Sequence, residues 1–408
     1  MISVAEALAR MLTHCPPLPA ETVGLHEALG RVLAEPVVSR LTQPPFASSS
    51  MDGWAVRAAD LAGASDASPV TLRPIGESAA GHAFSGTVGP GQAVRIFTGA
   101  PLPDGADAVV MQEDVAADGD AVRIPVAPKP GKFVRPAGLD FQAGEAVLPA
   151  GRRLTARDVG LAAAANVPWL RVHRRPRVAV LPTGDEIRLP GEPLGPSQIV
   201  SSNAFFLSAL VAAEGGVPHF LGVAGDTPEA LAEMARGAAG CDLLVTSGGA
   251  SEGDHDHVRD VLGGDLDFHR IAMRPGKAVM FGRMDAAMGA GRLLGLPGNP
   301  VSSAVAAVLF LKPLLRALQG LPADEPTRAA RLDGALPACD DRADYVRATL
   351  TPVAGGDPAV TPFPRQDSAM MSRMAKADAL IVRPPHAPPA RPGDGVEIIP
   401  LSGGCLSV

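Results

Sequence analysis

The sequence predicts a multi-domain chain of the α/β plus β class, in which a doubly wound α/β domain is accompanied by β-rich regions. Its 408 residues exceed what one ordinary hydrophobic core holds, so two to four domains are expected. Candidate strands and helices alternate over about 175–320, the pattern of a parallel sheet covered by helices on both faces. Elsewhere, short apolar runs are separated by turns rich in the 45 glycines and 41 prolines, which indicates short strands.

The spacing of apolar residues and the positions of Gly and Pro residues predict the helices and strands before residue 175. Residues 1 to about 40 show helical spacing at Val4, Leu8 and Met11 and again at Leu25 and Leu29. The other predicted elements of this part are strands at 93–98 and 108–111, a helix within 152–165 and an Arg-rich linker at 171–177.

The alternating region and the tail are predicted in the same way. The expected strands are 178–181, 220–223, 242–246 and 293–296, and the expected helices are 203–214, 229–239 and 302–318. Short strands at 379–382 and 396–400 then indicate a small C-terminal β domain.

Composition narrows the class of function. A formal net charge of −7 disfavours broad nucleic-acid or anionic-membrane binding. The 15 aromatic residues, a single Tyr among them, argue against base-stacking platforms. The four cysteines lie far apart without a CxxC pair, so neither a structural zinc site nor a disulfide framework is indicated. The first residues fit an amphipathic helix and not a secretory signal, and the apolar run from Ala304 stops at Lys312. The chain is therefore expected to be cytoplasmic.

Three loops follow predicted strands of the α/β domain, at 183–186, 247–256 and 296–302. Ligands of open parallel sheets bind beyond the carboxyl ends of the strands. Each loop combines small residues, which let the backbone approach an anion, with acids or hydroxyls. This combination predicts a phosphate-bearing ligand held with a divalent cation, because Mg²⁺ prefers carboxylate and phosphate oxygens.

Other motifs are weaker. Residues 249–253 match the GxSxG nucleophile elbow, but a serine hydrolase would also need Asp340 or Asp341 with His386, and no motif surrounds those residues. The acids and histidines of 254–257 are better explained by an acidic helix N-terminus than by a transition-metal site. Neither a P-loop nor an intact GxGxxG motif is present.

Seven segments, taken together, carry a family resemblance. In chain order they are PPFASSSMDGWAVR (44–57), RIFTGAPLPDGADAVV (95–110), VRPAGLDF (134–141), RPRVAVLPTGDEI (175–187), SGGASEGDHD (247–256), MRPGKAVMFG (273–282) and GLPGNPVSS (295–303). With these segments in order over nearly its whole length, the chain resembles the molybdopterin molybdenumtransferase family, called MoeA in bacteria and the gephyrin E domain in animals.

The resemblance implies an elongated subunit of four parts. They are a helical and linking domain (1–40 and 136–170), an inserted β-rich domain (41–135), a doubly wound molybdopterin-binding domain (171–322) and a C-terminal β-barrel-like domain (323–408). It further implies a homodimer with active sites between subunits. The implied reaction inserts molybdenum from molybdate into adenylylated molybdopterin and releases AMP, with Mg²⁺. Other cofactor-biosynthesis proteins and apo-molybdoenzymes are implied as further partners.

The family's functional residues carry over by position. The implied catalytic residues are Asp52, Thr98, Asp140, Glu186 and Asp226, and the implied metal ligands are Asp256 and Glu186. The implied substrate-binding residues are Gly184, Ser247, Gly248, Gly249, Arg270, Arg274, Lys277, Pro297, Pro300 and Ser368. Arg270 and Arg274 stand where the family often has lysine, which keeps the charge but changes the hydrogen-bonding geometry.

Two alternatives stay open at this point. The α/β domain also occurs in the adenylyltransferase that makes adenylylated molybdopterin, although the segments SMDGWAV and TGAPLP argue against that enzyme. A non-catalytic molybdopterin-binding scaffold is the second alternative, because the gephyrin E domain also anchors receptor tails.

Overall fold

The computed structural model describes residues 1–249, 257–284, 291–323 and 327–401. They form two compact units. The larger unit comprises Met1–Glu35, Ala150–Ala156 and Arg171–Val408, and the smaller unit comprises Pro36–Pro149 and Arg157–Leu170. The four-domain boundaries stay a prediction.

The helices, in chain order, are α1 (Val4–Thr13), α2 (Ala156–Ala164), α3 (Asn203–Ala213), α4 (Pro228–Ala235), α5 (Val258–Leu262), α6 (Pro300–Ala306), α7 (Lys312–Leu318) and α8 (Met371–Met374). A π-helical turn, Ala307–Leu311, joins α6 to α7. Short 3₁₀ helices are Leu25–Glu27, Ala58–Leu61, Gln112–Asp114 and Arg236–Ala238.

The strands are β1 (Ala20–Gly24), β2 (Val37–Val38), β3 (Ser48–Ser49), β4 (Gly53–Val56), β5 (Val70–Ser78), β6 (Gln92–Ile96), β7 (Ala108–Met111), β8 (Ala116–Asp118), β9 (Ala121–Ile124), β10 (Val134–Arg135), β11 (Ala146–Leu148), β12 (Trp169–His173), β13 (Arg177–Pro182), β14 (Ile187–Arg188), β15 (Ile199–Val200), β16 (Val217–Phe220), β17 (Leu243–Ser247), β18 (Gly263–Phe268), β19 (Met273–Arg274), β20 (Met280–Met284), β21 (Arg292–Leu296), β22 (Arg328–Leu332), β23 (Ala343–Thr351), β24 (Ala359–Pro362), β25 (Ala379–Arg383) and β26 (Gly395–Pro400).

A six-stranded sheet is the centre of the larger unit, with strand order β16-β13-β17-β21-β20-β18. The first four strands are parallel, as predicted. The last two were missed, and they run antiparallel to their neighbours. Strand β20 ends at Met284 and β21 begins at Arg292, which leaves fewer than the dozen or so residues that a parallel crossover needs.

Helices cover both faces of this sheet, which confirms the doubly wound α/β class. On β13, Val178 and Val180 are buried in a cluster that includes residues of α3 and α6. Ala179 and Leu181, which point the other way, are buried with residues of α4 and α5. Alternate side chains of β13 therefore pack into two hydrophobic layers, one on each face of the sheet.

The helical stretch Pro300–Leu318 is long and apolar enough to cross a membrane by length and composition alone. However, 72% of its most apolar window is buried inside the protein. The side chains of Val301, Val305 and Phe310 are wholly buried in the same layer as α3. This stretch is a core helix, and its apolar character serves packing.

The C-terminal strands of the larger unit close into a five-stranded barrel. Their order is β23-β24-β22-β26-β25, and β25 pairs back with β23. Strand β19 of the α/β layer pairs in parallel with β23, which sets Met273 opposite Ala343 and Arg274 opposite Asp344. Tyr345 of the barrel belongs to the same buried cluster as α6. The barrel is thereby packed beside the α/β sheet.

The smaller unit is built on a second six-stranded sheet, with order β7-β4-β6-β5-β9-β8. The predicted strands 93–98 and 108–111 are confirmed as β6 and β7. Along β4, Trp54 and Val56 pack into one buried cluster and Ala55 packs into another. Both faces of this strand are therefore covered by protein.

Three element predictions were wrong. The helix predicted over 1–40 ends at Thr13, because the prolines that follow at 16, 17 and 19 cannot continue it, and strand β1 comes next. The strand predicted at 220–223 is β16, three residues earlier. The linker predicted at 171–177 contains most of β12, where buried Leu170 and Val172 alternate with exposed residues.

Candidate functional site

A cavity of about 800 Å³ lies at the carboxyl ends of β13, β17 and β21 in the larger unit. The three loops selected from the sequence converge here, as the parallel sheet requires. The cavity lining includes most of the residues to which the resemblance assigned a role in this unit. They are Gly184, Glu186, Asp226, Ser247, Gly248, Gly249, Arg274, Lys277, Pro297, Pro300 and Ser368.

Asn203, the first residue of α3, ties two of these loops together. Its Nδ2 donates to Ser247 Oγ at 2.6 Å and to the carbonyl oxygen of Gly298 at 2.7 Å. Sequence reasoning did not select Asn203 as a site residue. The signal available was its position, since a polar residue at the start of a helix can point its amide across a strand-end crevice.

Glycines let the backbone close tightly over the end of β13. Gly248 and Gly249 have φ values of +96° and +60°, a region that side-chain-bearing residues rarely adopt. A Cβ at Gly248 would lie 2.7 Å from the carbonyl oxygen of Thr183. The Thr183 side chain is buried, and its hydroxyl has no hydrogen-bond partner in the described part of the chain. The loop therefore leaves a buried polar group unsatisfied beside the cavity that Thr183 lines.

We expect Gly248→Ala to destabilise the larger unit by about 3 kcal/mol, because the methyl group would collide with rigid backbone as well as strain φ. Gly240→Ala is the matched control: its φ is +79° but its Cβ would meet nothing within 4 Å. That change should cost only about 1–2 kcal/mol. Urea unfolding of the two variants measures the difference, and equal losses would contradict this role of Gly248.

The acidic side chains of the cavity come from two loops that hold each other. The amide of Asp185 donates to Asp226 Oδ2 at 3.0 Å, and the amide of Asp226 donates to Asp185 Oδ1 at 3.1 Å. A Cβ at Gly184 would lie 2.4 Å from Glu186 Oε2, so the glycine makes room for this carboxylate. Asp256, a predicted metal ligand, lies outside the described residues. Within the described ranges, no three Asp, Glu, His or Cys side chains converge on a metal position.

Arg274 is engaged by carboxylates of the barrel. Its Nε and Nη2 donate to the two oxygens of Asp344 at 2.8 and 2.7 Å, and Nη1 lies 3.4 Å from Asp340. Asp340 also accepts from Arg342 at 2.6 Å, and this hydrogen bond is the main reason that its pKa is lowered to about 2. Arg274 therefore links the cavity to the barrel, and its charge is largely compensated.

Lys277 is the contrasting cation. Its exposed ammonium group has no ion pair within the described ranges, and it lines both the main cavity and a smaller one of about 290 Å³. Arg342 lines both cavities too, whereas Arg270 lines only the smaller one. Lys277 is thus available to an anion in either space. Arg342 reaches both spaces too, but its Nε and Nη2 already donate to Asp340.

Barrel residues were missed by sequence reasoning. Arg342 and Gln366 line the cavity although no motif marked them, and Asp344 orients Arg274. The pairing of β19 with β23 brings this region to the α/β sheet. Ser368, the one tail residue that the resemblance selected, lines the cavity as well.

The predicted site residues of the smaller unit are Asp52, Thr98 and Asp140. The backbone amide and the hydroxyl of Thr98 both donate to Asp52 Oδ1, at 2.7 and 2.8 Å. These two bonds are the main reason that the pKa of Asp52 lies below its ordinary value. Asp140 is exposed, and its amide donates to the carbonyl oxygen of Gln43 at 3.0 Å. In this unit, Thr98 binds one carboxylate oxygen of the ionised Asp52 and leaves the other, Oδ2, without a bond to Thr98.

We expect Thr98→Val to raise the pKa of Asp52 towards its ordinary value without abolishing the shift, because the stronger backbone contribution remains. A lowered carboxyl pKa stabilises the fold above the unfolded-state pKa, and this is lost as pH falls through the folded-state pKa. As the pH falls, Thr98→Val should lose the stabilisation from ionised Asp52 at a higher pH than the wild-type protein does. Carbon-13 NMR titration of Asp52 measures the change, Thr71→Val on β5 is the control, and an unmoved titration would refute the role of the hydroxyl.

Comparison with known proteins identifies three consecutive family regions. Residues 2–166 match the MoeA N-terminal region (domain I and II), residues 179–317 match a probable molybdopterin binding domain, and residues 329–401 match the MoeA C-terminal region (domain IV).

Individual relatives agree with these matches. A molybdopterin molybdenumtransferase of Nostoc sp. is 42% identical over 74% of this chain and 70% of its own length. One of Haemophilus influenzae is 34% identical over 98% of this chain and 99% of its own. The crystal structure of a molybdopterin biosynthesis MoeA protein of Pyrococcus horikoshii superposes with a TM-score of 0.86 at 32% identity, covering 99% of this chain and 100% of that one. The chain therefore belongs to the MoeA family of molybdopterin molybdenumtransferases.

Proposed function

We propose that this protein transfers molybdenum from molybdate to adenylylated molybdopterin and releases AMP. The observation that carries the proposal is the cavity in which three glycine-containing strand-end loops meet Lys277 and Arg342. Backbone amides and small residues suit a phosphate group, and the two cations suit molybdate, which is also an anion. The names of the relatives support the same reaction.

The residues of the larger unit bind and orient the substrates. Gly248 and Gly249 follow β17 and line the cavity, where small residues let the backbone approach the phosphate of the pterin, and the buried hydroxyl of Thr183 lies beside them. Lys277, Arg342 and Ser368 hold molybdate by charge and hydrogen bonding. Binding both reactants in one cavity replaces a bimolecular encounter by a positioned one.

The carboxylates of the site are proposed to bind Mg²⁺ and to exchange protons. Glu186 and Asp226 line the cavity and are oxygen donors of the kind that Mg²⁺ prefers, so with Asp256 they are the residues that would hold it. Mg²⁺ held there would supply positive charge to neutralise the phosphoanhydride. Asp52, oriented by Thr98, and Asp140 exchange protons with water or molybdate oxygens.

We also propose that the protein forms a homodimer and is located in the cytoplasm. Cys15, Cys241 and Cys339 are free thiols, which is compatible with a reducing compartment. Equilibrium sedimentation tests the dimer, and cell fractionation tests the location.

Purified protein incubated with adenylylated molybdopterin, molybdate and Mg²⁺ tests the reaction. AMP release and reconstitution of a cofactor-free molybdoenzyme should both depend on molybdate. Tight binding without either product would favour a scaffold, and ATP-dependent adenylylation of molybdopterin would favour an adenylyltransferase.

A further inference from the structure

Arg347 is a buried cation in the C-terminal barrel. It lies on β23, and only 1% of its surface is exposed. It makes no salt bridge within the described part of the chain. Its guanidinium instead contacts one short segment, 366–370: Nε donates to Gln366 Oε1 at 3.2 Å, Nη2 to the carbonyl oxygen of Asp367 at 3.0 Å, and Nη1 to that of Met370 at 3.4 Å.

The backbone of Arg347 reinforces these contacts. Its amide donates to Gln366 Oε1 at 3.1 Å, and its carbonyl oxygen accepts from Gln366 Nε2 at 3.0 Å. Gln366 is therefore bound to Arg347 from both ends of its amide group. A polar network of this kind specifies one conformation when its members are satisfied.

The segment held by Arg347 forms part of the cavity wall. Gln366 and Ser368 both line the main cavity. The carbonyl oxygen of Ser368 accepts from the amide of Val301 at 2.9 Å, which joins the segment to the first turn of α6. The cavity side of the segment thus depends on two anchors, Val301 from the α/β layer and Arg347 from the barrel.

A guanidinium at this position is costly for the barrel. Burying a charge without an opposite charge carries a desolvation penalty, and an apolar side chain of similar volume would fill the space at lower cost. The compensation that the structure offers is the set of hydrogen bonds to 366–370, together with the nearby carboxylate of Asp367. The arginine is therefore explained by the order that it imposes on this segment.

We propose that Arg347 is a positioning residue that fixes Gln366 and Ser368 in the cavity wall and thereby sets the affinity of the site for its tetrahedral oxyanion substrate. This inference rests on the proposed function. Arg347 touches no reactant, so its effect is expected in the binding of molybdate rather than in the chemical step or in the binding of the pterin.

The test compares Arg347→Lys with Arg383→Lys. Arg383, on β25, is 7% exposed and donates to the carbonyl oxygens of Pro337 and Pro388, and it does not line the cavity. Both variants keep the positive charge but replace the planar guanidinium group, with its several hydrogen-bond donors, at a buried position of the barrel. We expect a KM for molybdate at least tenfold higher in Arg347→Lys, with kcat and the KM for adenylylated molybdopterin within about twofold of wild type. Arg383→Lys should leave all three values unchanged.

Hydrogen exchange provides a readout that needs no activity. Amides of 367–371 should exchange at least tenfold faster in Arg347→Lys and at the wild-type rate in Arg383→Lys. Should Arg347→Lys fail to fold, Gln366→Met, at an exposed position, removes the three hydrogen bonds between the Gln366 side chain and Arg347 and should accelerate the same amides.

Unchanged exchange at 367–371 would overturn the positioning role. Faster exchange with an unchanged KM for molybdate would overturn the link to substrate. If wild-type protein releases no molybdate-dependent AMP, the proposed function fails, and the exchange measurement still decides whether Arg347 fixes the segment.

Discussion

Replacing Asp52 by asparagine is expected to lower molybdenum insertion about 10²- to 10⁴-fold, which is the range for loss of a positioned acid–base group. The hydrogen bonds from Thr98 orient the carboxylate and lower its pKa, and asparagine cannot accept or release a proton there. Binding of adenylylated molybdopterin should change little, because the cavity proposed to hold it is formed by the larger unit. Single-turnover AMP release and equilibrium binding of the adenylate separate the two effects.

Asp60→Asn is the matched control for Asp52→Asn. Asp60 lies in the smaller unit, and its carboxylate also accepts a backbone N–H, from Gly91 at 2.9 Å. It carries no proposed role in the reaction, so this variant should turn over at the wild-type rate. Wild-type turnover by Asp52→Asn would remove Asp52 from the mechanism. An equal loss in both variants would indicate damage to the unit.

Lys277→Gln is expected to raise the KM for molybdate about 10- to 100-fold. A charge-assisted hydrogen bond contributes about 1.5–3 kcal/mol, and each 1.4 kcal/mol changes an equilibrium tenfold. Lys277 has no ion pair within the described ranges, so its charge is available to a ligand, whereas that of Arg274 is compensated by Asp344. Steady-state kinetics at several molybdate concentrations measure the change.

Lys376→Gln controls for the loss of one positive charge. Lys376 is exposed and lines neither cavity, so this variant should keep the KM of the wild type. Raising the salt concentration should weaken molybdate binding by wild-type protein more than by Lys277→Gln, because screening acts on the charge that the variant lacks. Equal salt dependence in the two proteins would contradict a direct electrostatic role of Lys277.

Much of the α/β layer was predictable from local pattern. Three buried strands, β13, β17 and β21, correspond to apolar runs in the sequence, and the more exposed edge strand β16 lies three residues earlier than predicted. The loops after β13, β17 and β21 were selected because parallel strands bring their carboxyl ends to one edge. That topological rule also accounts for the meeting of Gly184, Ser247 and Pro297 in one cavity.

Other parts of the site depend on contacts that are remote in sequence. Arg342 enters the cavity lining from the barrel, where β23 pairs with β19 across about 70 residues of chain. The compensation of Arg274 by Asp344 follows from the same pairing, and so does the contrast between Arg274 and Lys277. Residue spacing does not predict such contacts, because the pairing of distant strands depends on how whole layers pack.

The sequence by itself determined the fold class, the strand-end loops and, through seven segments in order, the family. These are properties of local periodicity, of backbone freedom at glycine and of motif order. Only the tertiary structure decided which charges are free, which carboxylate Thr98 binds, and that Arg347 of the barrel anchors a wall of the cavity. The physical reason is that charge compensation, burial and hydrogen bonding depend on distances between side chains, which are set by the packing of elements far apart along the chain.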